Sequence, residues 1–333
     1  GQIMVTEELN TTTMDTTGHE FQWEIIEFPS LFGTGRLYDV AIIDENHIWA
    51  VGEIYADSAQ DWLPYNAVHW NGSDWELKKI YVDYRGQPNL APLRGVFALP
   101  DGNVVFSSGL PYLPENGQWK LYHLWDMGVL NQDDGSVYSI WGTSLDNLYF
   151  AGTSGTIVRY NGRSWYKIES GTDLPILDIW GAKYKDSGEY EILCVAENYG
   201  AFGGSKIFAI HNSKITEIKT KGLMSGSLWG VWFVPERCYL AVGDGLWQTR
   251  HINETWHRNQ DLPALFKTSV HGNDINDIVV CGAYWLLAHY NGMNWKTYFQ
   301  MTSGSLIKVF IKDDLVIAVG GIGNNAVIVR GRC

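Results

Sequence analysis

Two histidines are the side chains of this sequence best suited to hold a metal ion. His69 and His289 each precede an aromatic residue, an Asn and a Gly. Imidazole nitrogens are common zinc ligands, so the pair is a natural candidate for a metal centre. Arg159 occupies the same place in a third copy of the pattern. A position fixed by a repeat is better explained by packing, and we predict no metal site.

Acidic and glycine-rich turns are the other candidates for chemistry. Carboxylates at 133–134, 274, 277 and 313–314 fall in predicted turns, and none belongs to a D-x-D-x-D-G calcium loop. The glycines at 33–35 and 320–323 resemble phosphate loops, but neither group opens a helix. The sequence has no G-x-S-x-G, H-E-x-x-H, P-loop or C-x-x-C signature. We therefore predict no catalytic residues and no cofactor.

Charge and hydropathy narrow the range of partners. The 333 residues carry a net charge of −13, which repels phosphate backbones and anionic lipid headgroups. No apolar run approaches the roughly 20 residues that span a bilayer. The sequence therefore predicts neither nucleic-acid binding nor membrane insertion. The first residues also lack the pattern of a signal peptide, so we expect an export signal to have been removed or to lie upstream of Gly1.

A unit of four short strands recurs along the chain. The clearest copy covers residues 137–168, where β-branched and aromatic segments alternate with Asn-Gly, Gly-Thr and Ser-Leu-Asp turns. Copies follow one another about every 47 residues, and four-stranded repeats with this spacing are typical of propeller blades. The chain is therefore predicted to be all-β, a seven-bladed β-propeller with four antiparallel strands per blade. Its innermost strands are predicted at Leu37–Ile42, Leu93–Ala98, Val137–Gly142, Ile176–Gly181, Leu228–Phe233, Thr268–Gly272 and Leu306–Ile311.

The two ends of the chain are predicted to share one blade. Fourth strands are predicted to carry a Trp in six of seven copies, namely Trp23, Trp75, Trp119, Trp165, Trp256 and Trp295. Of these, Trp23 lies before the first innermost strand. The last repeat ends at Arg332 after only three strands. The N-terminal strand should therefore pair into the last blade and close the ring without an open sheet edge. We assign residues 1–20 to an N-terminal arm or linker and residues 21–333 to the propeller.

Two segments resemble a known group of secreted proteins. The strings that begin at Trp141 (W-G-T-S-L-D-N-L-Y-F-A-G) and at Ile157 (I-V-R-Y-N-G-R-S-W) are similar to the tryptophan- and glycine-rich propeller repeats of secreted bacterial proteins. Residues 15–23 resemble the junction by which such propellers follow a fibronectin-like module. The resemblance implies the propeller fold and an extracellular or cell-surface location. It implies no chemistry, because a fold does not determine a function.

Loop length predicts a binding face. The connections from second to third strand and from fourth to first strand emerge on one side of a propeller, and the long ones lie mostly in the first three repeats. We expect long connections at 53–65, 82–91, 110–117, 126–136 and 197–205. Flat aromatic and polar side chains suit sugar rings or protein partners, although each could simply anchor its own loop. The predicted ligand-binding residues are Tyr55, Trp62, Tyr65, Tyr84, Arg85, Tyr112 and Trp125.

The first residues suggest a means of assembly. The ring is complete without the β-like segment that contains Ile3, Met4 and Val5. This segment is either a remnant of a preceding domain or a donated strand that adds to a sheet edge of a neighbouring molecule. A donated strand would make the chain a head-to-tail fibre subunit, because the arm and its acceptor are different surfaces.

Two functions follow from these features. The first is a secreted or cell-surface, non-catalytic propeller that binds glycan or protein or assembles with other subunits, including copies of itself. The second is a carbohydrate-active enzyme, a lyase or glycosyl transferase, with its site on the face of long loops. Titratable groups of several blades that meet in one pocket would favour the enzyme.

Overall fold

Seven four-stranded antiparallel sheets make up most of the regular structure. The computed structural model describes residues 16–56, 63–197, 204–220 and 226–333. Within each of the first six sheets the strands are neighbours in chain order, and the seventh combines the last three strands with the first. The predicted all-β, seven-bladed propeller is therefore confirmed.

The first strand, β1 (Gln22–Phe28), belongs to the last blade. Blade one contains β2 (Arg36–Asp44), β3 (His47–Ile54), β4 (Tyr65–Trp70) and β5 (Trp75–Lys78). A separate hairpin follows, formed by β6 (Val82–Tyr84) and β7 (Gln87–Asn89). Blade two contains β8 (Gly95–Ala98), β9 (Val104–Ser107), β10 (Pro111–Glu115) and β11 (Gln118–Leu121). Blade three contains β12 (Val137–Ser144), β13 (Asn147–Gly152), β14 (Ile157–Tyr160) and β15 (Trp165–Ile168), with a 3-10 turn at Thr153–Gly155.

The remaining blades repeat this arrangement. Blade four contains β16 (Ile176–Lys183), β17 (Tyr190–Ala196), β18 (Lys206–His211) and β19 (Lys214–Ile218). Blade five contains β20 (Leu228–Val234), β21 (Cys238–Gly243), β22 (Gly245–Thr249) and β23 (His257–Arg258). Blade six contains β24 (Lys267–Asp274), β25 (Asp277–Gly282), β26 (Leu287–Tyr290) and β27 (Trp295–Phe299). Blade seven contains β28 (Ser305–Lys312), β29 (Leu315–Ile322), β30 (Asn325–Arg332) and β1.

The second strand of each blade is covered by neighbouring blades on both faces. In β13 and β29 almost every residue is buried, which explains why these strands are apolar without alternation. Several second strands end in Gly because the backbone of the first strand approaches there. A Cβ at Gly52 would lie 1.9 Å from the Arg36 carbonyl oxygen, and one at Gly152 would lie 1.9 Å from that of Ser136. The recurrent glycine is therefore a packing requirement.

The ring closes as predicted, by pairing of the chain ends. Strand β1 runs antiparallel to β30, from the pair Gln22–Arg332 to the pair Phe28–Ala326. Trp23 lies opposite Gly331, and a Cβ on that glycine would come within 2.3 Å of the indole ring. The missing side chain makes room for the tryptophan, so the clasp is specified by packing as well as by backbone hydrogen bonds.

A β-bulge recurs near the start of the innermost strand. The register with the second strand shifts between Leu37 and Asp39 in blade one, between Ile176 and Asp178 in blade four, and between Leu306 and Lys308 in blade seven. Blades three, five and six have the same irregularity. A bulge interrupts strict alternation and redirects side chains. Consecutive residues such as Tyr38 and Asp39 therefore both line the central channel.

Two details of the predicted blades are wrong. The connection expected at 110–117 in blade two contains the third strand β10, so it is not a long loop. In blade five the fourth strand has only two residues, and Trp256 lies just before it rather than in it, buried with 2% exposure. By contrast, the connection at 82–91 does extend beyond the blade, as the β6–β7 hairpin.

The described part of the predicted arm contacts blade six. The Thr17 amide donates a hydrogen bond to the Asn291 carbonyl (3.2 Å), and the Tyr298 hydroxyl donates to the His19 carbonyl (2.7 Å). His19 Nδ1 lies 2.9 Å from His289 Nδ1. Residues 17–19 of the predicted arm therefore lie against the propeller.

Candidate functional site

Seven side chains, one from each blade, surround the mouth of the central channel. Each lies near or just before the start of the innermost strand of its blade, one residue before the next layer of channel-lining positions. These strands begin where the connection from the preceding blade arrives, so the mouth opens on the face that carries the fourth-to-first connections. The mouth residues are Tyr38, Arg94, Tyr138, Leu177, Trp229, Thr268 and Ile307.

Charged and small residues form the next layer down the channel. Asp39, Asp178 and Lys308 supply the charges, and the other blades place Gly or Ser there: Gly95, Ser139, Gly230 and Ser269. The Lys308 ammonium donates to Asp178 Oδ1 at 2.9 Å. Buried charges require partners of this kind, because desolvation costs several kcal/mol per ion.

The two carboxylates of this layer also connect neighbouring blades. Asp39 accepts from the Val96 amide of blade two at 3.0 Å, and Asp178 accepts from the Val231 amide of blade five at 3.1 Å. Ser139 accepts from the Ile179 amide at 3.2 Å in the same manner. Each of these bonds joins a side chain of one blade to a backbone amide of the next blade along the chain, so the charged layer holds the blades in place.

Burial changes the proton affinity of both charge types. Desolvation raises the pKa of Asp39 to about 6, against the lowering effect of Lys308 and of its two amide donors. Burial alone would lower the pKa of Lys308, but the charges of Asp178 and Asp39 outweigh it and raise that pKa. Lys308 therefore stays an ammonium at neutral pH, whereas Asp39 is close to its titration range.

An aromatic plug closes the channel below the charged layer. It consists of Phe97, Trp180, His271 and Phe310, two residues further along their strands. The His271 and Phe310 rings stack with centroids 3.6 Å apart, and Trp180 meets His271 edge-on at 4.8 Å. Desolvation lowers the pKa of His271 to about 3, so the ring is neutral at physiological pH. Between plug and charged layer a cavity of about 30 Å³ remains, room for one or two waters.

A network of tyrosines and charges forms the rim of the mouth on the side of blades one and two. The Tyr38 and Tyr55 hydroxyls donate to the two oxygens of Glu53, the latter at 2.9 Å. The Arg94 guanidinium lies over the Tyr38 ring, 3.9 Å from its centroid, and 3.7 Å from Glu53 Oε1. Burial, followed by the hydrogen bond to Glu53, raises the pKa of Tyr38 to about 12. Tyr38 therefore remains a neutral phenol at physiological pH.

Mouth, charged layer and plug together make a blind cup. Its volume is about 160 Å³, and its floor presents Asp39, Ser139 and Lys308. An engineered apolar cavity of about 150 Å³ holds one benzene molecule, so a cup of this size accepts one side chain. Its depth is limited by the plug, and a ligand must enter from the face of the mouth.

A larger groove of about 430 Å³ lies between blades five and six. Its lining includes Arg237, Cys238, His257, Tyr290 and Trp295. Burial raises the pKa of the Cys238 thiol to about 11, so this cysteine is not a reactive thiolate at neutral pH. The groove combines residues of two adjacent blades, whereas the cup collects charges from blades one, two, four and seven. We therefore regard the cup as the better candidate site.

Three predicted ligand residues lie together beside blade two. The rings of Tyr84 and His123 stack at 4.7 Å, and Arg85 forms an ion pair with Asp126 at 2.9 Å. Trp125 Nε1 donates to the Asn131 carbonyl at 2.9 Å. These contacts anchor the β6–β7 hairpin to the connection that follows blade two. The Arg85 side chain nevertheless stays 69% exposed, so the cluster remains open to a partner.

The other predicted residues are scattered. Tyr55 reaches the rim of the mouth through Glu53, whereas Tyr65 lies in β4 with the Lys79 ammonium 4.7 Å from its ring. Tyr112 is 2% exposed, so its ring offers no surface to a ligand, and its hydroxyl accepts a hydrogen bond from the Ser108 hydroxyl. Trp62 and the assembly segment that contains Ile3, Met4 and Val5 lie outside the described residues.

The repeat histidines both pack within their blades. His289 is 1% exposed and its Nε2 lies 2.7 Å from Asp277 Oδ1, while His69 stacks on Trp49 at 4.3 Å. Among the described residues there is no group of three or more His, Cys, Asp or Glu side chains placed to hold a metal. The same part of the chain contains no helix long and apolar enough to cross a membrane.

Sequence reasoning missed the residues of the cup. Asp39, Arg94, Asp178 and Lys308 lie in or beside innermost strands, where only packing was expected. One signal was available for Asp39, Asp178 and Lys308: each interrupts an otherwise apolar strand, as in the strings L-Y-D-V at Leu37 and L-I-K-V at Leu306. A charge at the third position of such a string marks a channel-facing residue.

The comparisons with known proteins support the fold. No protein-family profile and no curated protein sequence matches the chain. The structure is similar to one described as YCF48 bound to D1 peptide, with a TM-score of 0.65, 16% identity, and coverage of 93% of this chain and 97% of that one. It is also similar to the WD40 repeats of RRP9, with a TM-score of 0.59, 11% identity, and coverage of 94% and 100%.

A third similar structure is an enzyme. It is a catalytically inactive virginiamycin B lyase from Staphylococcus aureus with quinupristin, with a TM-score of 0.62, 13% identity, and coverage of 92% and 99%. Identities this low establish the propeller architecture alone. Propellers of this shape include peptide-bound and lyase examples, so the site itself must decide between the two functions.

Proposed function

We propose that this chain is a non-catalytic binding propeller, which takes one side chain of an extended partner polypeptide into the cup. The observation that carries the proposal is the shape of the site: a blind pocket of about 160 Å³ on the propeller axis, open to one face. Side chains from all seven blades surround its mouth, so a partner that enters it is fixed in position and direction.

The walls of the cup favour a polypeptide over a glycan. Leu177, Ile307 and the methyl group of Thr268 contribute aliphatic surface, and the rings of Tyr38 and Trp229 contribute aromatic surface. A sugar ring would bring hydroxyls that need hydrogen-bond partners on most sides, whereas a single side chain buries apolar surface and needs polar contacts only at its tip. One of the similar propellers is described as bound to a peptide, which supports a polypeptide as the partner.

The remaining parts of the proposal concern location and assembly. A place outside the cytoplasm is supported by the resemblance to tryptophan- and glycine-rich secreted repeats. Head-to-tail assembly through the segment that contains Ile3, Met4 and Val5 is a separate proposal, and deletion of residues 1–13 tests it. A truncated chain that stays folded but no longer associates supports the donated strand, and association that persists refutes it.

The enzymatic alternative has one observation in its favour. Titratable groups of blades one, two, four and seven meet near the cup, among them Asp39, Arg94, Asp178 and Lys308. Their hydrogen bonds argue for a structural use, because Asp39 and Asp178 accept backbone amides and Lys308 is paired. A general base needs a lone pair directed at the substrate. We therefore favour binding over catalysis.

A selection experiment tests the proposed function. Random linear peptides with free carboxyl ends are displayed and selected on the full chain, then tested on Ile307→Trp, which fills the cup without changing its charges. The matched control is Ile25→Trp, because Ile25 lies on the outer strand with 41% exposure. We expect enriched peptides to bind the control and to lose at least about tenfold in affinity for Ile307→Trp. Peptides that bind both variants equally, or a failure to enrich any, would contradict the proposal.

A further inference from the structure

Around the cup, the carboxylate acceptors are already hydrogen-bonded, whereas the cationic donors are only partly engaged. Asp39, Asp178 and Glu53 have six carboxylate oxygens, and each oxygen already accepts a hydrogen bond. The donors are less committed. Within the described residues, Lys308 uses one of its three N–H groups, on Asp178. The Arg94 guanidinium contacts Tyr38, but the Glu53 carboxylate is 3.7 Å away, so Arg94 has no carboxylate partner within hydrogen-bond distance among the described residues. The cup therefore has spare donors where its acceptors are engaged.

From this imbalance we propose that the cup binds a carboxylate, held between the Lys308 ammonium at the floor and the Arg94 guanidinium at the rim. The inference deepens the proposed function and depends on it. The carboxylate belongs to the partner polypeptide, either as an acidic side chain or as its C-terminus. Charge-assisted hydrogen bonds to both cations would give the ligand its orientation, while the aromatic walls cover the carbon atoms behind it.

The acidic character of the whole chain does not oppose this assignment. Solvent-exposed charges more than about 8 Å away are largely screened at physiological ionic strength, so the surface charges that make up most of the net −13 act weakly on the cup. The local charges are those of Asp39, Asp178 and Glu53 against Arg94 and Lys308. Asp39 is the group that can adjust, since burial raises its pKa to about 6 and a bound anion would favour its protonated form further.

Three small aromatic probes of similar size test which charge the cup prefers. Benzoate, benzamide and benzylamine are each small enough for a cup of this volume. Benzoate and benzamide share a planar shape and differ in charge, whereas benzylamine carries a cation on a tetrahedral carbon. Their binding to the full chain is measured by ligand-detected NMR at pH 7. We expect benzoate to bind at least about tenfold more tightly than either of the others. Benzylamine or benzamide that binds as well as benzoate, or benzoate that does not bind, would overturn the assignment.

A pair of arginine variants locates the binding. Arg94→Gln removes the rim cation and leaves Lys308 and its ion pair intact. Arg163→Gln is the control, because Arg163 is an exposed turn residue of blade three, outside the lining of the cup. Benzoate affinity should fall at least about tenfold in Arg94→Gln and stay unchanged in Arg163→Gln. Equal affinity of the two variants would place the carboxylate elsewhere and refute the proposal.

The peptides from the selection distinguish the two sources of the carboxylate. Each enriched peptide is resynthesised with a C-terminal amide, and separately with its acidic side chains replaced by amides. Loss of binding in the first form identifies a C-terminus as the ligand, and loss in the second identifies an acidic side chain. Cup-dependent peptides that tolerate both changes would refute the carboxylate while leaving the proposed function standing. Absence of cup-dependent peptides would refute the proposed function itself.

Discussion

The upper and lower halves of the central channel are built by the same strands and differ in chemistry. In blade four Asp178 lies above and Trp180 below, and in blade seven Lys308 lies above and Phe310 below. Each pair is only two residues apart, so both members face the channel. The lower half packs aromatic rings into a plug, whereas the upper half leaves a cup with charges at its floor. The repeat thus fixes the scaffold, and the channel-facing positions are free to carry a site.

This comparison predicts that the ion pair of the charged layer stabilises the ring, while Arg94 at the rim serves binding and contributes little to stability. Asp178→Asn leaves the Lys308 ammonium without its ion pair, and breaking such a buried pair costs about 4 kcal/mol of unfolding free energy. Urea denaturation measures the loss. The double variant Asp178→Asn/Lys308→Met should recover much of it, because the unpaired charge is gone. A single variant that loses less than about 1 kcal/mol would show that the pair contributes little.

The plug should affect stability without affecting the cup. Phe310→Ala removes the ring that stacks on His271 at 3.6 Å, and truncation of such a ring costs about 3 kcal/mol of unfolding free energy. Benzoate affinity should stay within about twofold of the parent chain under conditions where the variant is folded. A loss of affinity as large as that of Arg94→Gln would mean that the two halves are coupled.

The buried histidine of the plug predicts a pH dependence. Its pKa falls from 6.5 to about 3 on folding, so below pH 6.5 the unfolded chain takes up a proton that the folded chain does not. Stability is therefore lost as the pH falls, by about 2 kcal/mol at pH 5. His271→Phe should lack this loss when urea curves at pH 7 and pH 5 are compared. The raised pKa of Asp39 has the opposite effect on stability, but it is present in the parent chain and in His271→Phe alike and therefore cancels in the comparison. If both chains lose the same unfolding free energy between pH 7 and pH 5, the prediction is contradicted.

The rim should contribute least to stability. The Arg94 side chain is 41% exposed and its ion pair with Glu53 is long, at 3.7 Å. Arg94→Gln should therefore lower the unfolding free energy by no more than about 1 kcal/mol, from the lost contact with Tyr38 and the weakened ion pair. Thermal denaturation beside Arg163→Gln measures this difference. A loss comparable to that of Asp178→Asn would make Arg94 a structural residue.

Strand count, blade number and ring closure could be predicted because they depend on local patterns. The position of Trp23 before the first repeat was enough to pair β1 with β30. The cup could not be predicted in this way, because its residues are far apart in sequence and meet only at the axis. The bulges also shift the alternation, so that neighbours such as Tyr38 and Asp39 face the channel together. Aromatic loop residues were easier to notice, yet Tyr112 turned out to be buried.

The most direct test follows the isoleucine methyl groups of the labelled chain while an enriched peptide is added. Ile307 lines the cup and Ile25 lies on the outer strand, and replacement of each by Val assigns its signal. Entry of a partner side chain into the cup should shift or broaden the Ile307 δ-methyl signal at peptide concentrations that leave Ile25 unchanged. If the peptide saturates the chain and the Ile307 signal does not move, the partner binds elsewhere and the cup is not the site.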